Sequence, residues 1–112
     1  MALSVAARNA LADAIANGAT WVSVHSSDPS TTGAGELSPG PYARKQTTFG
    51  AASGGDRVGS QVTVDVPAGG PYGWFGLWSA VSGGTFFGGG TLSPAETFAG
   101  TGQLRITPTV DA

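Results

Sequence analysis

The stretch from residue 72 to residue 92, YGWFGLWSAVSGGTFFGGGTL, decides the fold. It contains two short aromatic runs, YGWFGLWSA and TFFGGGTL, separated by VSGG. Aromatic runs on both sides of a short glycine-containing turn are typical of a β-hairpin. In the first run Trp74, Phe75, Leu77 and Trp78 fall on both alternations of the strand, which makes it apolar on both faces. We therefore expect each face to be covered, either by the chain itself or by a partner.

Glycines inside these two runs need an explanation, because each one weakens a strand. Gly73 and Gly76 alternate with the tryptophans, and three consecutive glycines follow Phe86 and Phe87. We expect large rings to lie across neighbouring glycines, where no side chain obstructs them; a bulge or a close backbone approach is the alternative.

Further short strands are predicted on either side of the hairpin. Four other segments have strand-like composition or alternate with period two: TWVSVHS (20–26), YARKQTTF (42–49), QVTVDV (61–66) and QLRITPTV (103–110). The segments DPSTTGAGELSPGP (28–41) and SPAETFAGTG (93–102) are rich in strand breakers and are predicted to be loops, and GAASGGD (50–56) a turn. About six or seven short strands without strand–helix alternation predict a mainly β fold. We expect an antiparallel β-sandwich, jelly-roll-like or a small barrel, with residues 1–112 forming a single domain.

The N-terminal segment is predicted to be the one helix, over about residues 4–17. Its apolar residues recur every four positions and form one stripe: Leu3, Ala7, Leu11 and Ile15. Ser4 can cap the start, and Gly18 suits the left-handed residue that ends a helix. We expect the core to contain Leu11, Ile15, Val22, Val24, Val62, Val64, Val66, Phe75, Leu77, Leu104 and Ile106.

The composition excludes several classes of function. The chain has 112 residues, no cysteine, five basic and seven acidic residues. Scattered basic residues do not form the stripe that a phosphate backbone requires, so we expect no nucleic-acid partner. We expect no cofactor and no metal site, since thiol ligands are absent and no calcium-loop spacing occurs. No run approaches the roughly 20 apolar residues of a membrane span, so we expect no membrane-spanning segment. Arg8 interrupts the apolar part of a possible leader, so we expect no cleaved signal peptide.

The only histidine, His25, ends a predicted strand before Ser26, Ser27 and Asp28. One interpretation is acid–base catalysis in a small hydrolase, but no supporting constellation accompanies the imidazole. The other is structural: Asp28 can accept from the backbone of the turn, and Pro29 fixes the exit of the strand. We favour the structural interpretation and predict no catalytic residue.

An ordered set of pieces resembles a family of small tailed-bacteriophage virion proteins, described as tail-fibre-like, with relatives that decorate the capsid. The pieces are strand-His-x-x-Asp-Pro around His25, Tyr-Ala-Arg at 42–44, Phe-Gly-Leu-Trp at 75–78 and Phe-Phe-Gly-Gly-Gly at 86–90. The resemblance implies a non-enzymatic structural protein of the virion, assembled in the host bacterial cytoplasm. It brings no catalytic residue with it.

The functional expectation combines this resemblance with the low charge, 11% of residues. We expect a subunit that docks on the capsid shell as a decoration or minor capsid protein, binding the major capsid protein or other virion proteins and forming a homo-oligomer. Its interface is predicted to include the rings of Trp74, Trp78, Phe86 and Phe87. A tail-fibre or baseplate subunit is the alternative within this class. An alternative of another class is a lectin-like module that binds host glycans on its tryptophans.

Overall fold

A computed structural model describes residues 1–37 and 42–111. Within these residues the chain forms one helix and eight strands. In chain order they are α1 (Val5–Gly18), β1 (Trp21–His25), β2 (Lys45–Gln46), β3 (Asp56–Val58), β4 (Val62–Val66), β5 (Gly69–Trp78), β6 (Phe86–Phe98), β7 (Gly102–Ile106) and β8 (Thr109–Asp111).

The strands form one four-stranded antiparallel sheet, in the order β2-β1-β5-β6, and two antiparallel pairs, β3-β8 and β4-β7. Apolar side chains alternate along β1, β4 and β7, so each strand presents one face to the interior. Valines from β1 and β4 meet Phe75, Leu77, Leu104 and Ile106 in a single core cluster. The predicted class is confirmed: the fold is an antiparallel β-sandwich with an N-terminal helix.

Nine of the expected core residues are buried, and all nine lie on strands. The core also contains residues that the sequence did not single out: Ala12, Ala16, Ala19, Tyr72 and Val110. Tyr72 is buried because its hydroxyl donates to the carbonyl of Pro67 at 2.9 Å, which satisfies its polar end inside the protein. Most of the strand part of the core was therefore predicted, but Tyr72 of β5 and Val110 of β8 were missed.

The helix orientation differs from the expectation. Leu11 is 47% exposed and Ile15 is only partly buried, so the prediction that both belong to the core was wrong for Leu11. The buried face consists of Ala12 and Ala16, whose small side chains allow α1 to approach the strands closely. Ser4 caps the start, its Oγ accepting from the amide of Ala7 at 3.1 Å.

Gly18 does not have the left-handed conformation expected at the end of the helix. The cap residue is Ala19, whose amide donates to the carbonyl of Ile15 at 2.9 Å. Gly18 instead leaves room for the ring of Phe87, which would lie 3.0 Å from a Cβ at this position.

Several element boundaries also differ from the sequence prediction. The predicted loop at 93–102 is wrong for Ser93 to Phe98, which extend β6: Glu96 lies opposite Tyr72, and Phe98 opposite Gly69. The ten-residue β5 offers a long pairing partner for this extension. YARKQTTF forms a strand only at Lys45–Gln46, with an isolated bridge from Phe49 to Gly59. Asp56 opens an unexpected strand, and residues 38–41 of the predicted loop lie outside the described residues.

The rings do lie across glycines, as expected. A Cβ at Gly76 would lie 2.9 Å from the ring of Phe86, and one at Gly90 would lie 2.9 Å from the ring of Phe75. The hairpin joins β5 to β6, with the amide of Ser79 donating to the carbonyl of Thr85 at 3.0 Å.

Candidate functional site

The outer face of the large sheet, opposite the core, is covered by the chain itself. The pairing of β1 with β5 places Ser23 beside Gly76 and His25 beside Trp74 on this face. Residues 26–37, here called the covering loop, fold back over it. The loop is attached at its two ends, where the amide of Ser26 donates to Gly35 and the amide of Leu37 donates to Val24, both at 3.0 Å. This loop explains why β1 is buried on both faces.

His25 connects the covering loop to the sheet. Its Nδ1 lies 2.7 Å from the carbonyl oxygen of Ala34, an acceptor, so Nδ1 carries the proton. The neutral ring then accepts at Nε2 from the hydroxyl of Ser23, at 2.7 Å. Ser23 Oγ in turn accepts from Nε1 of Trp78 at 2.8 Å. The imidazole therefore holds Ala34 of the loop against β1 and β5.

Ser23 and His25 have the geometry of a nucleophile and its base, but their surroundings favour the structural interpretation. Both residues are 0% exposed, so a substrate would first have to displace the covering loop. The serine oxygen already accepts from Trp78. Asp28 caps its own turn, accepting from the amide of Ser30 at 2.8 Å, as expected for a strand exit.

A charged group lies beside this histidine. Arg44 donates from Nε and Nη2 to the two carboxylate oxygens of Glu36, both at 2.8 Å. Its Nη1 donates to the carbonyls of Ala80 and Gly83, at 2.9 and 2.8 Å, in the turn between β5 and β6. Tyr42 donates to Glu36 at 2.6 Å. We call the set Ser23, His25, Glu36, Tyr42, Arg44 and Trp78 the buried polar network.

Trp78 is the apolar centre of the buried polar network. The guanidinium of Arg44 lies 3.9 Å from the centroid of its ring, and the ring of Phe86 packs at 5.1 Å. Gly33 of the covering loop fits against the indole, where a Cβ would lie only 2.7 Å away. An aromatic with an Arg on one face and a glycine backbone at its edge does not form an open platform for a sugar.

The four predicted interface rings lie in different surroundings. Trp78 and Phe86 are half-buried within the outer face, and Trp74, opposite His25 in the sheet register, is also half-buried. Phe87 lies on the helix side of the sheet, 42% exposed. The structure thus brings Trp78 and Phe86 together and separates Phe87 from them; their assignment to an interface stays a prediction.

Burial and hydrogen bonding change the pKa values of the buried polar network. Burial lowers the pKa of His25, although the Ala34 carbonyl acts in the opposite direction. Burial alone would raise the pKa of Glu36, but the hydrogen bonds from Arg44 and Tyr42 outweigh it and leave this pKa below its usual value. Burial, together with donation to Glu36, raises the pKa of Tyr42. At neutral pH the network therefore holds a neutral imidazole beside a paired carboxylate.

These pKa directions predict that acidification destabilises the fold in two steps. Below the ordinary imidazole pKa of 6.5 the unfolded chain binds a proton that folded His25 resists, so the free energy of unfolding falls. Below the ordinary carboxyl pKa of 4.5 unfolded Glu36 is protonated first, and a second decrease follows. Urea unfolding at a series of pH values, followed by tryptophan fluorescence, measures both steps.

His25→Gln is the matched control, because the chain contains one histidine. This variant should lose the dependence of unfolding free energy on pH around 6.5, whatever its absolute stability. An unchanged slope there in the variant would contradict the assignment.

Other acidic side chains in the described residues lie apart from the buried polar network. No group of three or more His, Asp or Glu side chains in residues 1–37 and 42–111 is arranged to hold a metal ion. Asp56 and Asp111 lie side by side in the β3-β8 register, and burial together with Asp56 raises the pKa of Asp111. In the same part of the chain, α1 is too short and too polar to cross a membrane.

Sequence reasoning interpreted His25 as structural, which stays a prediction, and missed most of its neighbours. Glu36 and Arg44 gave one weak signal: charged residues are scarce in this chain, and these two flank a breaker-rich segment. No spacing rule links Arg44 to the carbonyls of Ala80 and Gly83, because the contact spans nearly 40 residues.

Comparison with known proteins identifies one family. The family model described as Gp80, podophage GP4 fiber I protein gp80, matches residues 2–109. The match covers nearly the whole chain, including α1, the covering loop and the β5-β6 hairpin. Searches of curated proteins and of solved structures gave no match.

Proposed function

The chain belongs to the family of podophage GP4 fiber I protein gp80 and is a phage virion structural protein of the tail-fibre-like type, and from this membership we propose that it is built into the fibre. It acts there by binding other virion proteins through apolar surface. The family match carries this proposal. Capsid decoration, which the sequence analysis placed first, becomes the second candidate; the short helix and compact sandwich of the described residues, without a stalk, favour it.

The distribution of charge supports a role inside an assembly. Only 11% of residues are charged, about half of the usual share for a globular domain. Arg44 and Glu36 pair with each other in the buried polar network, so they add little charge to the surface. Large apolar side chains are exposed at the same time, among them Leu3, Leu11 and Phe87. A surface with few charges and several exposed apolar side chains is suited to being covered by neighbours.

The outer face of the large sheet contributes rigidity in this proposal. The covering loop packs against Trp78 and Phe86. It is held in place by Arg44, which donates to both carboxylate oxygens of Glu36. A bidentate ion pair gives a loop one defined geometry. Binding therefore falls to the apolar surface on the helix side of the sheet.

Labelling of intact virions tests the placement. An antibody raised against the purified chain, visualised with gold particles by electron microscopy, should label the fibres. Gold particles confined to the heads would show that the protein belongs to the capsid shell and would overturn the fibre placement. Particles without any label, with the protein also missing from their denatured polypeptides, would contradict a virion role altogether.

A further inference from the structure

The two layers of the sandwich both end in an unpaired strand edge. The first edge belongs to β6, which ends the four-stranded sheet and pairs only with β5. The second belongs to β7 and β8, which pair only with β4 and β3. The amide of Gly59 donates to the carbonyl of Pro108 at 2.8 Å, so these four strands form one two-stranded ribbon. Among the described residues, no strand pairs with the outer side of either edge.

A groove separates these two edges. Three cavities of about 170, 340 and 280 Å³ lie along it, and Phe75 lines all three. One wall of the groove consists of residues 87–92 and 96 of β6, and the other of residues 104–107 and 109–111. The groove is therefore a gap between the two layers of the sandwich, with a strand edge on each side.

The walls of the groove offer main-chain groups rather than large side chains. Along an edge strand, every second residue directs its N–H and C=O away from the sheet, where both need a hydrogen-bond partner. Residues 88–90 of β6 are all glycine, so no side chain keeps a second backbone away from this wall. On the facing wall, Thr107 and Thr109 contribute hydroxyl groups. The middle of the groove is for these reasons polar, although Phe75 lies in it.

Charge is unevenly distributed along the groove. The first two cavities have one charged side chain in their lining, Asp111, which contributes to both. Asp56 lies opposite it in the β3-β8 pair, and neither carboxylate forms an ion pair with a described residue. The third cavity is lined by Glu96 and Arg105, whose charges are opposite. A complementary ligand is therefore uncharged along most of its length and carries a cation near Asp111.

We propose that the groove binds an extended segment of a neighbouring virion protein, which adds as a β-strand to the edge of β6. An extended backbone presents N–H and C=O groups at the spacing that a strand edge requires, which a sugar does not. Residues 87–92 carry no charge and accommodate about six residues of such a segment, or roughly 20 Å.

The cation near Asp111 comes from a lysine or arginine of the bound segment. The same strand of a second copy does not supply it, because β6 contains no basic residue. This difference favours a segment of another protein over pairing between two β6 edges. The inference deepens the proposed function, on which it rests for the source of the strand.

The test is a titration of the isotopically labelled chain with a peptide probe, followed by NMR through the amide signals of residues 87–92. The probe is Lys-Thr-Val-Thr-Val-Thr, acetylated at its N-terminus and amidated at its C-terminus. It should shift these signals saturably and slow their hydrogen exchange. A control peptide has the same side chains but N-methyl groups on its backbone amides, so it cannot donate to a strand edge. It should bind at least about tenfold more weakly.

Two substitutions locate the binding site. Thr107→Trp places a large ring between the second and third cavities and should weaken binding by about tenfold or more. Its matched control is Thr101→Trp, since Thr101 is also exposed but lies between β6 and β7 and lines none of the three cavities. Asp111→Asn should weaken binding by about threefold, because an exposed ion pair contributes modestly, whereas Asp65→Asn on β4 should not. Circular dichroism establishes that all four variants are folded.

Equal affinity for the two peptides, or no saturable shift at millimolar concentration, would overturn strand addition. Protection of residues 87–92 that rises with the concentration of the chain alone would show that a second copy covers the edge, and would overturn it as well. The labelling of virions is read independently. A chain that labels fibres but binds no probe loses only the strand site, and one that binds the probe but labels no virion loses the virion protein as its partner.

Discussion

Replacing Arg44 with methionine is expected to lower the free energy of unfolding by about 3 kcal/mol. The arginine side chain is only 7% exposed and forms a bidentate pair with Glu36. Methionine keeps the apolar stem but leaves the Glu36 carboxylate in a partly buried site without its cation. The carbonyls of Ala80 and Gly83 lose their donor at the same time. Removing one partner of a buried pair costs more than the pair contributes, because the remaining charge is uncompensated.

Chemical denaturation of both proteins at neutral pH measures this change. Arg105→Met is the matched control, since Arg105 is exposed on β7 and forms no ion pair with any described residue. The control should stay within about 0.5 kcal/mol of the wild type. The variant should also show faster hydrogen exchange in the covering loop than the control. A cost below about 1 kcal/mol for Arg44→Met would show that the buried polar network contributes little to stability.

Truncating Ile106 to alanine is expected to cost about 2–5 kcal/mol. The side chain is 1% exposed and lies opposite Val62 in the β4-β7 pair, within the core cluster. Removing its methyl and methylene groups leaves a cavity that the surrounding core side chains fill only partly. Urea unfolding, with a midpoint shifted at unchanged slope, gives the number.

Leu11→Ala provides the comparison that separates the sequence expectation from the structure. Both positions were predicted to be core, but Leu11 lies on the exposed edge of α1. This substitution should change the free energy of unfolding by less than about 0.5 kcal/mol. A loss near that of Ile106→Ala would mean that the helix packs through Leu11 after all.

The strands could be predicted because their signal is local. Val62, Val64 and Val66 alternate with polar residues, and a strand with one buried face requires that alternation wherever it lies in the fold. The hairpin of β5 and β6 followed in the same way from two aromatic runs and a glycine turn. The length of β6 could not be predicted in this way, because its C-terminal part pairs with the start of β5, where Glu96 lies opposite Tyr72 and Phe98 opposite Gly69.

The helix shows what a local sequence pattern predicts and what only contacts in the folded protein decide. Period four predicted that α1 forms, and Ser4 that it begins where it does, since both depend on neighbours within one turn. Its rotation about its own axis depends on what the strands offer. Gly55 and Arg57 supply polar partners for Asn9 and Asp13, and small alanines permit the closest approach, so Leu11 faces outward.

The chain by itself therefore determined the antiparallel β class and the N-terminal helix, while the structural role of His25 stays a prediction. Only the tertiary structure decided which groups that histidine joins, how Arg44 reaches a turn almost 40 residues away, and which side of α1 stays uncovered. The physical reason is the range of the interactions. Alternation, capping and turns act over a few residues, whereas buried hydrogen bonds and ion pairs are selected by distance in space, which no local pattern encodes.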